Sequence, residues 1–219
     1  MTKSIAKTWV VIPVSSAETD LSQIVANLTG SFVVPETYTI PSPMGKDIPD
    51  DTVPHPHFGQ SAPNFSGRIL FVHFGLSLSP NAGASSINLD GNYNIAKAWN
   101  TGINNAVGEG AEAVVILNGP IVFDPFVIAD GVGVMADGMS VVNIADGAMW
   151  VLDALSAIRA DETFAIWFAD NDIYRQAGSS VGTYRSPYAT LVELENARDL
   201  PNFETIVKAE QTAYEAKYA

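Results

Sequence analysis

The chain reads as a single α/β domain with a mainly parallel central sheet and helices on both faces. Three observations predict this. The run Thr8 to Val14 (TWVVIPV) is apolar and β-branched at consecutive positions, as in a strand covered on both faces. Similar short runs recur at Arg68–Phe74 (RILFVHF) and Ala113–Leu117 (AVVIL). Segments with helical periodicity separate them, which is the arrangement that a parallel sheet with crossover helices requires.

In chain order, the first strand stops at Pro13-Val14-Ser15, and Glu18 to Leu28 then place Leu21, Ile24, Val25 and Leu28 at helical spacing before Gly30. Ser31–Ile40 (SFVVPETYTI) reads as a second strand broken at Pro35. Residues 41–67 hold six prolines and little periodicity, so they are expected to form an irregular loop inside the domain, of the kind that often serves as a lid. Arg68–Phe74 resumes as a strand, and the Gly/Ser/Asn-rich Gly75–Ser86 follows as loop. Asn92 can cap a helix through Ile95, Ala98, Trp99, Ile103 and Val107 that ends at Gly108–Gly110. Ala113–Leu117 is the next buried strand, closed by the turn Asn118-Gly119-Pro120.

Ala-Asp-Gly triplets stand at 129–131, 136–138 and 145–147. Their unequal spacing predicts turns around a strand at Met139–Ile144, not a solenoid repeat. Gly147–Arg159 reads as a helix burying Met149, Trp150, Leu152 and Leu155. Phe164–Phe168 reads as extended, followed by a short helix capped by Asp170 or Asn171 and ending at Gly178. Phe203–Tyr218 closes the chain as an amphipathic helix with Phe203, Ile206, Val207 and Tyr214 on its apolar side.

Composition narrows the function classes. The 219 residues are 47% hydrophobic and 16% charged, which suits one packed domain spanning 1–219. With 24 Asp+Glu against 11 Lys+Arg the net charge is −13, which disfavours attraction to phosphate backbones and anionic membranes, so nucleic acid is not an expected partner. No cysteine is present, which excludes disulfides, thiolate nucleophiles and cysteine-held metal. The apolar run at Trp9–Val14 is too short for a signal segment or a membrane span, and the expectation is a cytoplasmic protein.

In open α/β sheets ligands bind beyond the carboxyl ends of the strands, so Pro13-Val14-Ser15, Glu36, Asn118-Gly119-Pro120 and Asp170-Asn171-Asp172 come first as candidates. Local chemistry offers structural readings beside functional ones. Asp170 and Asp172 are also good helix caps, Asn118-Gly119-Pro120 is also an ordinary turn, and Trp99, Trp150 and Trp167 suit a core. His55-Pro-His57 carries metal-ligand residue types at close spacing but lacks a third and fourth ligand in the sequence around it. His73 reads as a core or strand-end histidine. No Rossmann, P-loop, zinc-protease or nucleophile-elbow motif is found.

The order of these segments resembles the family 2 glycosyltransferases of GT-A fold. The resemblance is carried by Trp9–Ser15, by NYNIAKAWNTGINNA at 92–106 followed by GAEAVVILN at 110–118, and by IWFADNDIYRQAG at 166–178. It implies a GT-A-like, Rossmann-like fold and transfer of a sugar from a UDP-, GDP- or dTDP-sugar to a hydroxyl of a glycan or protein acceptor. Pro13, Val14 and Ser15 would line the nucleoside pocket, Glu36 would hydrogen-bond the base, and Asn100, Gly102 and Asn118 would lie near the donor. Asp170 would be the general base of an inverting reaction, with Asp172 beside it, Trp167 against a sugar face, and Arg175 and Arg185 in support. The sequence departs from the family at two points. Asn118-Gly119-Pro120 stands where metal-using members place an Asp-x-Asp motif, and Ala169 replaces a customary Glu. No metal ligand is therefore assigned, a Mg²⁺ or Mn²⁺ ion is expected to bind weakly, and a catalytically silent sugar- or protein-binding module is the alternative.

Overall fold

A computed structural model describes residues 3–31, 33–34, 36–40, 51–60, 65–78, 83–135, 138–145, 148–184, 192–195 and 197–219. Seven strands form the central sheet: β1 (Thr8–Val14), β4 (Arg68–Phe74), β5 (Ala84–Leu89), β6 (Ala113–Leu117), β8 (Val141–Ala145), β9 (Met149–Asp153) and β10 (Val181–Thr183). Their order is β10-β8-β9-β6-β1-β4-β5. β1 pairs in parallel with β4 and β6, β4 with β5, and β8 with β10, while β9 alone runs antiparallel to its neighbours. The predicted single α/β domain with a mostly parallel sheet is what the chain forms.

Alternation along β1 divides the core into two layers. Trp9 and Val11 face the layer that holds Ile95, Trp99 and Ile103 of α2 (Ile95–Gly108) and Ile173 of α4 (Ala169–Ala177). Val10, Ile12 and Val14 face the layer that holds Ile24 of α1 (Ser22–Ala26) and Val127, Ile128 and Val132 of α3 (Phe126–Val134). Every residue of β1 and β6 is buried, as consecutive apolar residues in a doubly covered strand require. The last helix, α5 (Phe203–Tyr218), packs Tyr214 against Phe164 and Phe168 beside the first layer. No helix among the described residues is long and apolar enough to cross a membrane.

Five local expectations are corrected. The second strand does not enter the main sheet: β2 (Thr37–Ile40) pairs antiparallel with β3 (Asp51–Pro54) in a separate ribbon, so the 41–67 excursion carries a strand of its own, with 41–50 and 61–64 outside the described residues. Gly75–Ser86 is loop only at its start, since β5 begins at Ala84. That strand lies at the sheet edge, and its exposed serines hide its β character from a hydrophobic pattern. The cap of α2 is Asn94, whose side chain accepts the Lys97 N–H at 2.8 Å, and not Asn92. The first Ala-Asp-Gly triplet lies inside α3, where Gly131 lets the helix approach Ile144 so closely that a Cβ would sit 2.5 Å from its Cδ1. The helix expected over Gly147–Arg159 does not form over its described residues 148–159, because Met149–Asp153 is the antiparallel strand β9 between β6 and β8. A run of four apolar residues, Met149 to Leu152, fits either period, and the sheet decides the outcome by burying it on both sides.

Candidate functional site

The order of strands reverses at β1. The chain leaves it toward β4 and β5 on one side and returns to β6 on the other, so the carboxyl ends of β1 and β6 flank a topological switch point, the usual ligand crevice of such sheets. A cavity of about 420 Å³ opens on the β6 side of this point, beyond the end of β6. Its floor includes Trp99, Asn118 and Gly119, its wall Ile166, Trp167, Asp170 and Asn171, and its far side Glu193, Glu195 and Arg198.

The floor is fixed by hydrogen bonds that leave little freedom. Trp99 Nε1 donates to the Leu117 carbonyl at 2.7 Å, and the Asn118 N–H donates to the Ala148 carbonyl at 2.9 Å. Asp170 stands in the first turn of α4, whose N-cap position, Phe168, has no side chain able to cap. Its Oδ1 accepts the Asn171 N–H at 2.8 Å, so neither Asp170 nor Asn171 is the predicted cap. Burial pushes its carboxyl up to about 6, against smaller lowering contributions from the Asn171 and Asp170 N–H groups. Trp167 is 41% exposed and meets Phe203 edge to face at 5.6 Å, with the Arg198 guanidinium 5.8 Å from its ring centre.

The structure brings Asn118, Trp167 and Asp170 together at the cavity and sets the other sequence candidates elsewhere. Pro13 and Val14 are buried at the end of β1, and Ser15 follows them half-buried, bound to Glu195. Glu36 is exposed beside the β2–β3 ribbon, with its carbonyl accepting the His55 N–H. Asn100 is buried on α2 and its amide donates to the Ala160 carbonyl at 2.8 Å and to Glu162 at 3.1 Å, tying the helix to the segment before α4. Gly102 lies where α2 crosses β1, and a Cβ there would come within 2.3 Å of Val11 Cγ1. Asp172 is fully buried away from the cavity, accepting from Lys217 Nζ at 2.6 Å, Gln176 Nε2 at 2.6 Å, the Asp161 N–H at 2.9 Å and the Tyr218 hydroxyl. Arg175 turns to α5, donating to Tyr214 at 3.2 Å. Arg185 lies outside the described residues.

A divalent ion between diphosphate oxygens needs hard, preferably charged oxygen ligands, and the residues at the end of β6 do not fit one. Asn118 offers a neutral amide and Pro120 no side-chain oxygen. Asp124, the next acid along the chain, is 1% exposed, set 2.9 Å from His55 Nε2, and accepts the Phe126 N–H at 2.9 Å. His55 Nδ1 accepts the His57 N–H at 3.1 Å, and the His57 ring stacks on Phe126 at 3.9 Å, so the His-Pro-His segment fastens the ribbon to the turn before α3. Among the described residues no three His, Cys, Asp or Glu side chains are grouped so as to hold a metal ion.

Two carboxylates at the site carry no sequence signature. Glu210 of α5 accepts three backbone N–H groups of residues 166–168, and Glu195 binds the loop after β1. Each lies at least 40 residues along the chain from its partners, and only the tertiary fold brings them into reach.

No protein-family model matches the chain, and no curated protein matches it. Among solved structures, the backbone is similar to that of a protein named provisionally as a nucleotide-diphospho-sugar transferase from Desulfovibrio desulfuricans G20, at 9% identity over 82% of this chain and 80% of that one, with a TM-score of 0.46. It is also similar to a cytidylyltransferase from Leptospira borgpetersenii serovar Hardjo-bovis strain JB197, at 9% identity over 95% of both chains, with a TM-score of 0.49. These likenesses concern the course of the chain and assign no residue a role.

Proposed function

We propose that the chain is a glycosyltransferase that uses a nucleotide-diphosphate sugar and inverts the anomeric centre, with Asp170 as its base. The observation that carries this reading is the position of Asp170: a half-buried carboxylate, pushed up to about 6, lining the cavity beyond the end of β6. A base poised near the working pH is what removal of a hydroxyl proton calls for. In the step, the acceptor O–H gives its proton to Asp170 as its oxygen bonds to the anomeric carbon. The bond from that carbon to the diphosphate breaks, and its electron pair leaves with the diphosphate. Trp167 offers an aromatic face to a sugar ring, Asn118 lies on the donor side, and Arg198 supplies positive charge at the rim. The acceptor is a hydroxyl of a glycan or a protein.

The test is turnover of UDP-, GDP- and dTDP-sugars, with Asp170→Asn as the decisive variant. Loss of about 10²–10⁴-fold in kcat is expected, and an unchanged rate removes Asp170 from the reaction. Because no acidic pair stands at Asn118–Pro120, turnover is expected to survive EDTA, and complete loss on chelation would contradict that. The same absence of acids favours one second reading, a module that binds sugar or protein without reaction, which donor binding by calorimetry with no turnover would select.

A further inference from the structure

Four hydrogen-bond donors converge on one carboxylate at the carboxyl end of β1. Glu195 Oε2 accepts the Ser15 N–H at 2.8 Å and the Ser15 hydroxyl at 2.5 Å, while Oε1 accepts the Ser16 N–H at 3.1 Å and the Thr19 hydroxyl at 2.5 Å. The carboxylate reaches this point on a strap. β11 (Val192–Glu193) pairs antiparallel with β7 (Ile121–Val122), and the Leu194 N–H donates to the Pro120 carbonyl at 2.8 Å. Residues 192–195 therefore cross the switch point from the β6 side to the β1 side. Glu195 lines the cavity, whereas Ser15, Ser16 and Thr19 behind it do not.

The electrostatics of this arrangement are contradictory for an anionic ligand while Glu195 is in place. The cavity then presents Asp170, Glu193 and Glu195 against Arg198, and a diphosphate brought beside these carboxylates is repelled. The negative charge reaches further, since the Tyr93 phenol is pushed up first by burial and then by Glu195. Yet two N–H groups and two hydroxyls aimed at one point make a cradle for an oxyanion, and a phosphate presents oxygens of similar size and spacing to a carboxylate.

We propose that Ser15, Ser16 and Thr19 form an oxyanion subsite for a phosphate of the nucleotide donor, which the Glu195 carboxylate fills in this structure and must vacate for the donor to bind. The inference rests on the reading of the cavity as a nucleotide-sugar site. Displacing Glu195 frees the donors and removes one of the three opposing charges, so a single movement turns the crevice from anion-repelling to anion-binding.

Calorimetry of the whole chain with inorganic pyrophosphate and with UDP tests it. Glu195→Ala is expected to bind pyrophosphate at least tenfold more tightly than the parent chain, and adding Ser15→Ala and Thr19→Ala is expected to abolish the gain. Glu195→Gln keeps the side chain's volume and one acceptor oxygen, and is expected to shift affinity in the same direction by less, which preserves the test if Glu195→Ala melts early. Unchanged or weaker pyrophosphate binding in both Glu195 variants overturns the proposal, as does a gain that persists without the two hydroxyls. A hydroxyl-dependent gain with no turnover of any nucleotide sugar upholds the subsite and discards the glycosyltransferase reading. Turnover with no gain discards the subsite alone.

Discussion

Glu210 Oε2 accepts the Trp167 N–H at 2.8 Å, joining the C-terminal helix to the residue that walls the cavity. The same oxygen accepts from Phe168 at 3.2 Å, and Oε1 accepts from Ile166 at 2.9 Å. These N–H groups lead into α4, and a carboxylate placed there acts as a cap supplied from a distant helix, with the favourable sign for the helix dipole. Glu210 is only 4% exposed.

Glu210→Ala should therefore leave three N–H groups, the Ile166 one buried and the other two partly so, without their acceptor and cost about 3 kcal/mol. For a chain of this size that corresponds to a melting temperature lower by about 6–12 °C. Thermal denaturation checks it, and a change of less than about 2 °C would show that the loop holds itself.

Asp170 links activity to stability with opposite signs. Folding raises its pKa from 3.8 to about 6, so between these values the folded chain keeps a proton that the unfolded chain has released. Stability contributed by this group is therefore lost as pH rises through that window, while the basic form needed for catalysis appears in it. Asp170→Asn should raise stability at neutral pH by about 1–2 kcal/mol, allowing for the residual exposure of the carboxyl, and should remove turnover. In the parent chain, kcat should fall below a pH of about 6. Denaturant melts of both chains at pH 4 and pH 7, set beside a pH–rate profile, check the pair of effects.

Asp172 and Lys217 fasten the end of α5 to α4. Burial alone would raise the Asp172 pKa, but Lys217, Tyr218, the Asp161 N–H and Gln176 outweigh it and hold the carboxyl below its ordinary value. Lys217 also holds Asp161 down to about 2. Both carboxylates are lowered by folding, so their stabilisation is present above a pH of about 4 and lost as acid protonates them. Lys217→Met should cost about 2–3 kcal/mol, since it strands a fully buried carboxylate but removes a lysine that is 36% exposed. Urea denaturation should show the full deficit at pH 7 and a progressively smaller one as the pH is taken below about 4 toward the lowered range of the two carboxylates.

Gly102→Ala would force a methyl group to within 2.3 Å of Val11 Cγ1 and 2.7 Å of its Cγ2. Alanine favours a helix by about 1 kcal/mol over glycine, but crowding at a helix–strand contact costs about 1–3 kcal/mol and more where the backbone must move. The net expectation is destabilisation, measured as a lower urea midpoint, with donor affinity per folded molecule unchanged. Weakened binding at full stability would restore Gly102 to a ligand role.

For the two central strands, the sequence alone determined the outcome. Runs such as TWVVIPV and AVVIL have no polar face to present to water, so they had to become doubly covered central strands, and α2 and α5 follow from periods long enough to exclude other readings. Asp170 was expected after an extended Phe164–Phe168, but the structure forms no strand there and sets Asp170 in the first turn of α4, where it lines the cavity with Asn118 and Trp167. Tertiary structure decided the rest. MWVLD became β9 only because β6 and β8 flank it, and ASSINL became β5 only because β4 offered an open edge. Asp170 and Asp172, two residues apart, face different surroundings because a helix turns about 100° per residue, leaving one on the cavity wall and the other buried under α5. Glu195 and Glu210 acquired their roles for the same reason. A carboxylate's partners are whatever donors the fold brings within 3 Å, and no local pattern in a sequence encodes a contact made across 40 to 180 residues.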